Sequence, residues 1–227
     1  MWRILIVLLF MLGPVYGEEV RKRCYTVSYL FIEVGRFCIT YDANGSEIKT
    51  TAEATTTGII KLLKDIHYEG NAVADSTFRS KSFYFLKKER SIIEIHRYRF
   101  ENDRILFKKE IIQKGDIKVT EKTFKNRGYM DPFTASLYYY NRILSGKKVT
   151  KKIFYNGKSY LIPYTGRKEV QISGIKAIYA EIDPSSINVG GLIQPSGVWK
   201  LWIDTVDGML LKAELKIKVG TVKIEKI

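Results

Sequence analysis

The stretch LKAELKIKVGTVKIEKI, residues 211–227, alternates apolar and charged side chains along nearly its whole length. One set is Leu211, Ala213, Leu215, Ile217 and Val219, then Val222 and Ile224; the other is Lys212, Glu214, Lys216 and Lys218, then Lys223 and Glu225. A period of two is that of a β-strand with one buried face and one face in water. Gly220 marks a turn between two such strands, so the stretch predicts an antiparallel hairpin.

The upstream chain repeats this pattern. Runs of strand length such as SIIEIHRYRFEND (91–103) and RILFKKEIIQK (104–114) are rich in Ile, Phe and Tyr. TTTGIIKLLKD (55–65) is compatible with a short helix instead. Turn signals recur at Asn44-Gly45, Lys114-Gly115-Asp116, Asn156-Gly157, Ser173-Gly174, Asp207-Gly208 and Val219-Gly220. The sequence therefore predicts a mainly β protein, a curved antiparallel sheet of meandering hairpins that forms a half-barrel or open barrel.

One stretch, MDPFTASLYYYNRIL (130–144), has a helical pattern instead. Asp131 suits the N-cap, Pro132 suits the first helical position, and Gly146 suits the C-terminal stop. Between them an apolar stripe recurs at helical spacing, formed by Phe133, Leu137, Tyr140 and Leu144. A helix of about 13 residues is marginal alone in water, so we expect it to pack on the concave face of the sheet.

Two roles for this helix are open. It completes the core, or it forms a lid over an apolar ligand cavity with tyrosine hydroxyl groups at its mouth. For the second role we predict that the cavity is lined by Phe133, Leu137, Tyr140, Trp199 and Trp202.

The first 17 residues, MWRILIVLLFMLGPVYG, predict a signal peptide. They contain one charge, at Arg3, and an apolar run too short for a bilayer, which needs roughly 20 residues. The alternative is an uncleaved membrane anchor. We expect cleavage near Gly17, a single β-rich domain at 18–227, and a soluble periplasmic or extracellular product.

The chain has 38 Lys and Arg against 24 Asp and Glu, a formal charge of +14. One cluster, predicted as a basic rim, is Lys147, Lys148, Lys151 and Lys152. Such an excess suits lipid headgroups or an anionic envelope polymer, although an ordinary solvated surface is the alternative. Nucleic acid is not expected as a partner, because export argues against it and no binding signature accompanies the charge.

Cys24 and Cys38 are the only thiols, and an exported chain permits a disulfide between them. The pattern predicts that the first hairpin turns near Glu33 to Gly35, which places the two cysteines several residues out of register and disfavours the bond. No metal site is expected, because the histidines are not at ligand spacing.

Catalytic motifs are also absent from the sequence: there is no G-x-S-x-G, P-loop, H-E-x-x-H or paired C-x-x-C. Asp204 and Asp207 could be paired carboxylates but are more simply turn residues. We therefore expect a protein that is not an enzyme and has no cofactor.

Three stretches carry a family resemblance: DPFTASLYYYNRILSGKKVTKKIFYNGKSYLIPYTGRKEV (131–170), GIKAIYAEIDP (174–184) and GVWKLWIDTVDGMLLKAELKIKVGTVKIEKI (197–227). With an early paired strand containing Gly35, they resemble exported bacterial proteins of the family called domain of unknown function 3108. Met209-Leu210 departs from the pair expected after the Asp-Gly turn. The resemblance implies a fold and no activity.

Two functions follow as hypotheses from these patterns. The first is an envelope protein that binds or carries an apolar or amphiphilic, lipid-like molecule. The second is a structural or assembly partner of other envelope proteins, with a sealed core and contacts made through sheet edges. A hydrolase with spatially assembled acidic residues is a third, weaker hypothesis.

Overall fold

Alternating side chains generate strands along most of the chain. The computed structural model describes residues 20–187 and 194–227, so the predicted signal peptide lies outside the described residues. The strands are β1 (Arg21–Tyr29), β2 (Ile32–Asn44), β3 (Glu47–Thr56), β4 (Ile66–Asp75), β5 (Ser80–Glu89), β6 (Ile92–Phe100), β7 (Arg104–Gln113), β8 (Asp116–Lys125), β9 (Ile153–Tyr155), β10 (Lys158–Tyr160), β11 (Tyr164–Ile172), β12 (Ile175–Ile182), β13 (Trp199–Asp204), β14 (Leu210–Ile217) and β15 (Gly220–Lys226). The helices are α1 (Gly58–Leu63) and α2 (Pro132–Leu144).

Thirteen of these strands form one antiparallel sheet. Its order is β11-β12-β13-β14-β15-β1-β2-β3-β4-β5-β6-β7-β8, and β9 and β10 form a separate hairpin. The sheet does not close, because β8 and β11 are its edges. Six strands lie between β12 and β4 in this order, yet α2 contacts both. The sheet must therefore curve around α2, which confirms the predicted fold class.

The predicted helix boundaries are confirmed at α2. The Asp131 carboxylate accepts hydrogen bonds from the backbone N–H groups of Phe133 and Thr134, both at 2.9 Å. Its other oxygen accepts from the Ser80 hydroxyl at 2.5 Å. Gly146 follows the helix with φ +66°, a left-handed conformation that favours glycine. The start of the helix is thus fixed to the first residue of β5.

The predicted position of the first turn is wrong. The turn between β1 and β2 lies at Leu30 and Phe31, and a bulge shifts the register of the two strands between Val27 and Ser28, just before the turn. Together they place Cys24 directly opposite Cys38, and the two form a disulfide. The disfavoured bond is therefore present, because the turn comes earlier than the glycine at position 35 suggested.

Antiparallel connections alternate between the two ends of the sheet. One end carries the β1–β2 turn, α1, the β5–β6 turn at 90–91 and the β14–β15 turn at 218–219. We call this the α1 end. The opposite end carries the β2–β3, β4–β5 and β13–β14 connections, and α2 begins there beside Ser80.

Candidate ligand-binding site

The α2 residues predicted to line a cavity are part of the packed core. Phe133, Leu137 and Tyr140 are 2%, 0% and 1% exposed. The ring of Phe133 packs edge-on against Phe83, with 5.3 Å between ring centroids, and lies over Gly70 of β4. This arrangement matches a helix that completes the core rather than a lid.

The two predicted tryptophans lie on opposite faces of β13. Trp199 is 1% exposed, and its Nε1 donates to the Lys216 carbonyl oxygen at 3.1 Å. Trp202 is half-buried on the outer face, against Tyr179 and under the ammonium group of Lys212. Residues three apart on a strand point in opposite directions, so Trp202 cannot share an interior lining with Trp199.

The predicted basic rim is mostly exposed but does not border the apolar cavity described below. Lys147, Lys148 and Lys152 are exposed. The Lys151 ammonium group lies 5.4 Å from the Tyr138 ring centroid and donates to the carbonyl oxygen of Thr77 at 3.3 Å. Because Thr77 is in the β4–β5 connection, Lys151 belongs to the opposite end of the sheet.

The structure contains an apolar cavity of about 170 Å³ at the α1 end. It lies between β1, β2, β3 and β4 on the inner side, with α1 beside it. Its lining residues are Val27, Val34, Gly35, Arg36, Ala54, Thr55, Thr56, Ile60, Lys64, Ile66 and Tyr68. An engineered apolar cavity of about 150 Å³ holds one benzene molecule, so this space suits a short segment of a hydrocarbon chain.

Glycine is required where β2 and β3 approach each other beside this cavity. A Cβ atom at Gly35 would lie 2.8 Å from the backbone oxygen of Thr55. That is closer than real Cβ atoms come to backbone atoms, so any side chain would push the strands apart. The family resemblance singled out this glycine, and the structure supplies a physical reason for it.

Helix α1 is held by a few hydrogen bonds from the flanking residues. The backbone N–H of Thr57 donates to the Val34 carbonyl oxygen at 3.2 Å. The Thr56 hydroxyl donates to the Lys64 carbonyl oxygen at 3.0 Å and accepts from the N–H of Ile66 at 3.1 Å. No side chain caps the helix N-terminus. Helix α1, which has six residues and lies beside the cavity, is therefore held to the sheet at both of its ends.

A row of paired charges adjoins the cavity on the inner face. The ammonium group of Lys64 lies 2.9 Å from the Glu89 carboxylate, which also binds Lys87. Burial alone would raise the pKa of Glu89, but hydrogen bonds from Lys87 and Lys64 outweigh it and lower the pKa. Burial, reinforced by the charge of Glu89, raises the pKa of Tyr68, so the Tyr68 hydroxyl stays protonated beside the cavity.

A second buried charged group lies further along the same face. Glu94 accepts a hydrogen bond from Lys109 at 2.5 Å and contacts the Nε2 atom of His96 at 3.1 Å. His96 is 0% exposed, and burial lowers its pKa despite the neighbouring carboxylate. The imidazole of His96 is therefore neutral at neutral pH. Its role here is to satisfy Glu94 rather than to hold a charge of its own.

The charged row beside the cavity, formed by Lys64, Lys87, Glu89, Glu94 and Lys109, carries a small excess of positive charge. Three lysines, at 64, 87 and 109, face two glutamates, at 89 and 94, so with His96 neutral the net charge is 3 − 2 = +1. An apolar cavity next to a slightly positive polar row matches an amphiphile with an anionic headgroup.

The acidic pair that could suggest catalysis has a structural role. Asp204 accepts from the N–H of Val206, and Asp207 accepts from the N–H of Met209, both at 2.8 Å. Both carboxylates also face the guanidinium of Arg23. These are the turn residues that the sequence suggested. Within residues 20–187 and 194–227, no three His, Cys, Asp or Glu side chains are grouped to hold a metal ion.

Sequence reasoning missed the cavity because its lining comes from four strands and a helix. Only one local signal was available: in IIKLL, residues 59–63, an apolar pair stands on each side of Lys61, and a short helix was one interpretation. Nothing in the local pattern shows that Gly35 and Tyr68 line the same cavity, since that depends on the register of β2, β3 and β4.

These features define a β-barrel-like protein, in which an open antiparallel sheet wraps around a buried helix. A family model described as "Protein of unknown function (DUF3108)" matches residues 24–226. The chain belongs to this family, as its sequence motifs indicated. In the described ranges, neither helix has the length and hydrophobicity needed to span a bilayer.

The fold is similar to that of a solved structure from another family. That structure is the β-barrel-like protein of domain of unknown function DUF1849 from Brucella abortus, at 9% identity and a TM-score of 0.57. The match covers 93% of this chain and 97% of that chain. No curated protein matches the sequence. At this identity the likeness concerns the fold alone.

Proposed function

We propose that this protein is an exported, non-enzymatic binder or carrier of an apolar or amphiphilic molecule, and that the molecule enters the cavity beside α1. The observation that carries the proposal is the apolar cavity of about 170 Å³ next to the Lys64–Glu89–Lys87 row. The apolar walls suit a hydrocarbon tail, and the excess positive charge suits an anionic headgroup. Residues 1–17 support export to the cell envelope.

The size of the cavity limits what it holds in this conformation. A space of about 170 Å³ takes only the end of an acyl chain, and a longer ligand needs α1 to move outward. Leu62 and Leu63 on α1 are 85% and 69% exposed, so little burial opposes that movement.

The proposal is tested by filling the cavity. Ala54→Trp places a large side chain on the inner face of β3, and Thr51→Trp places the same side chain on the exposed outer face of that strand. Binding is followed by the fluorescence of N-phenyl-1-naphthylamine and its displacement by lysophosphatidylglycerol. We expect Ala54→Trp to abolish displaceable binding while Thr51→Trp retains it. Equal binding by both variants, or no binding by the wild type, contradicts the proposal.

A second candidate function is assembly with another envelope protein through the edge strand β8. Strand β8 pairs with β7 alone, and most of its residues are exposed, including Ile117 and Val119. An unpaired edge is a template for strand addition by a partner chain. A photo-crosslinker at Val119 should then capture one protein at stoichiometric yield, and a crosslinker at Thr51 should not. Failure to capture any protein removes this candidate.

A further inference from the structure

The α1 end of the sheet carries an unusual set of exposed apolar side chains. Phe31 is 92% exposed, Leu30 58% and Ile32 57% in the first turn, and Leu62 and Leu63 are exposed on α1. Single exposed apolar residues are ordinary, but a contiguous group marks an interaction surface.

The two segments that carry these side chains are physically joined. The Thr57 hydroxyl, just before α1, donates to the Glu33 carboxylate of the first turn at 3.1 Å, and its N–H bonds to Val34. On the other side of the first turn, the Tyr29 hydroxyl donates to the Val219 carbonyl oxygen at 2.6 Å. Val219 is itself 41% exposed. One surface therefore runs from α1 across the first turn to the β14–β15 turn.

The backbone of the first turn shows that the exposed side chains come at a conformational cost. Leu30 and Phe31 have φ values of +48° and +68°. A two-residue hairpin turn with positive φ at both positions favours Asn-Gly or Asp-Gly. Here two large apolar residues occupy those strained positions and project into solvent. A turn selected for stability alone would not use them, so the outlier points to a function at this site.

The charges around this surface select the partner. In the segments 30–33, 57–65, 90–91 and 218–219, the basic residues are Lys61, Lys64, Arg90 and Lys218, of which Lys64 is paired with Glu89, and the acidic residues are Glu33 and Asp65. The charge of Glu33 is offset by Arg36, whose Nε lies 2.7 Å from the carboxylate. The Lys223 ammonium group lies 5.4 Å from the centroid of the Phe31 ring. Positive charge thus surrounds the apolar tips, within a chain of formal charge +14.

We propose that the α1 end docks on an anionic phospholipid surface, with Phe31, Leu62 and Leu63 entering the interfacial region of the bilayer. Aromatic and leucine side chains partition into that region, and adjacent lysines and arginines are attracted to anionic headgroups. The apolar cavity lies behind the same surface, lined by Val34, Thr56 and Ile60. A lipid-like ligand could then pass between bilayer and cavity with little exposure to water; only this link rests on the proposed function.

The docking surface is tested by flotation of the purified protein with phosphatidylethanolamine vesicles, with and without phosphatidylglycerol. The test variant combines Phe31→Asn, Leu62→Ser and Leu63→Ser. Asparagine tolerates positive φ, so the turn should fold as well as or better than in the wild type. Val206→Ser is the matched control, because Val206 is 85% exposed at the opposite end of the sheet.

We expect the wild type and Val206→Ser to float with vesicles that contain phosphatidylglycerol. The triple variant should bind these vesicles more weakly by a factor of about ten or more. Equal flotation of the triple variant overturns the proposal. Equal binding to vesicles without phosphatidylglycerol overturns the anionic assignment. A wild-type dimer that the triple variant converts to a monomer identifies the surface as a contact between two copies, and also overturns it.

A second measurement separates docking from ligand binding. Phe31→Trp should show a blue-shifted emission on anionic vesicles and quenching by brominated lipid, which requires insertion of that side chain. Emission that stays unchanged on those vesicles contradicts insertion. Ala54→Trp, which fills the cavity, should still float. If the wild type docks on the vesicles but does not bind the probe, this inference stands and the proposed function is removed.

Discussion

The contact between Gly70 and Phe133 tests whether α2 is packed into the concave face as tightly as the structure shows. A Cβ atom on Gly70 would lie 2.7 Å from Cζ and 2.8 Å from Cε2 of the Phe133 ring. Carbon atoms prefer separations of about 3.5–4.0 Å, so the ring would have to move by about 1 Å. It has little room, because Phe133 is 2% exposed and packs edge-on against Phe83. We expect Gly70→Ala to lower the free energy of unfolding by about 1–3 kcal/mol.

The double-mutant cycle with Phe133→Leu makes this prediction specific. Leucine lacks the Cζ and Cε2 atoms that cause the clash, so Gly70→Ala should cost much less in the Phe133→Leu background. We expect a coupling energy of about 1 kcal/mol or more from urea unfolding. Gly166→Ala is the control, because the atoms nearest to its Cβ would belong to the flexible Glu181 side chain, the closest at 3.2 Å. Additive effects of the two substitutions, or an equal cost at Gly166, would refute the reasoning.

Two further predictions concern buried titratable groups. Burial raises the pKa of Asp131 against the hydrogen bonds from Ser80 and from the backbone N–H groups, so its charged form lowers stability at neutral pH. Asp131→Asn should therefore retain about 1–3 kcal/mol more stability than Asp131→Ala in urea unfolding, and its stability relative to the wild type should decline as the pH falls toward about 4. Equal losses for both variants would contradict this account. Burial lowers the pKa of His96, so the unfolded chain binds its proton more readily and the stability should fall as the pH falls below about 6.5. His96→Gln should flatten that part of the pH profile while Glu94 and Lys109 remain; an unchanged slope between about pH 7.5 and 5.5 would oppose the explanation.

Much of the fold follows from local patterns. Alternation in residues 211–227 specifies the β14–β15 hairpin, and the buried set observed there is Leu211, Ala213, Leu215, Ile217 and Ile224. Val219 departs from the pattern because it lies in the turn, where no neighbouring strand covers it. The Asp131 cap and the Gly146 stop were also local features, since capping needs only the few residues that surround a helix end.

The rest of the fold depends on the register between paired strands, which local patterns do not determine. The Cys24–Cys38 disulfide exists because the first turn lies at Leu30 and Phe31, a pair with no turn signature, and because a bulge shifts the strands by one residue. The sequence predicts a turn near Glu33 to Gly35, two residues or more beyond the turn at Leu30 and Phe31. In the structure Gly35 instead allows β2 and β3 to approach each other closely beside the cavity. A glycine thus indicated close packing rather than a reversal of the chain, and only the paired strands distinguish these meanings.

The two ends of the sheet differ in how firmly their helices are held, which determines where a ligand could enter. Helix α2 has 13 residues, an N-cap buried against Ser80 and a core-facing side, whereas α1 has six residues and no side-chain cap. A helix as short as α1 gains little from its own hydrogen bonds, and its two leucines are largely exposed. Local opening at α1 should therefore cost far less free energy than opening at α2. Amide hydrogen exchange should be faster in residues 58–63 than in 132–144, and binding of lysophosphatidylglycerol should slow exchange in the first segment alone. Equal protection of both helices would mean that α1 is not the moving cover, and a ligand longer than the present cavity would then have no route through this end.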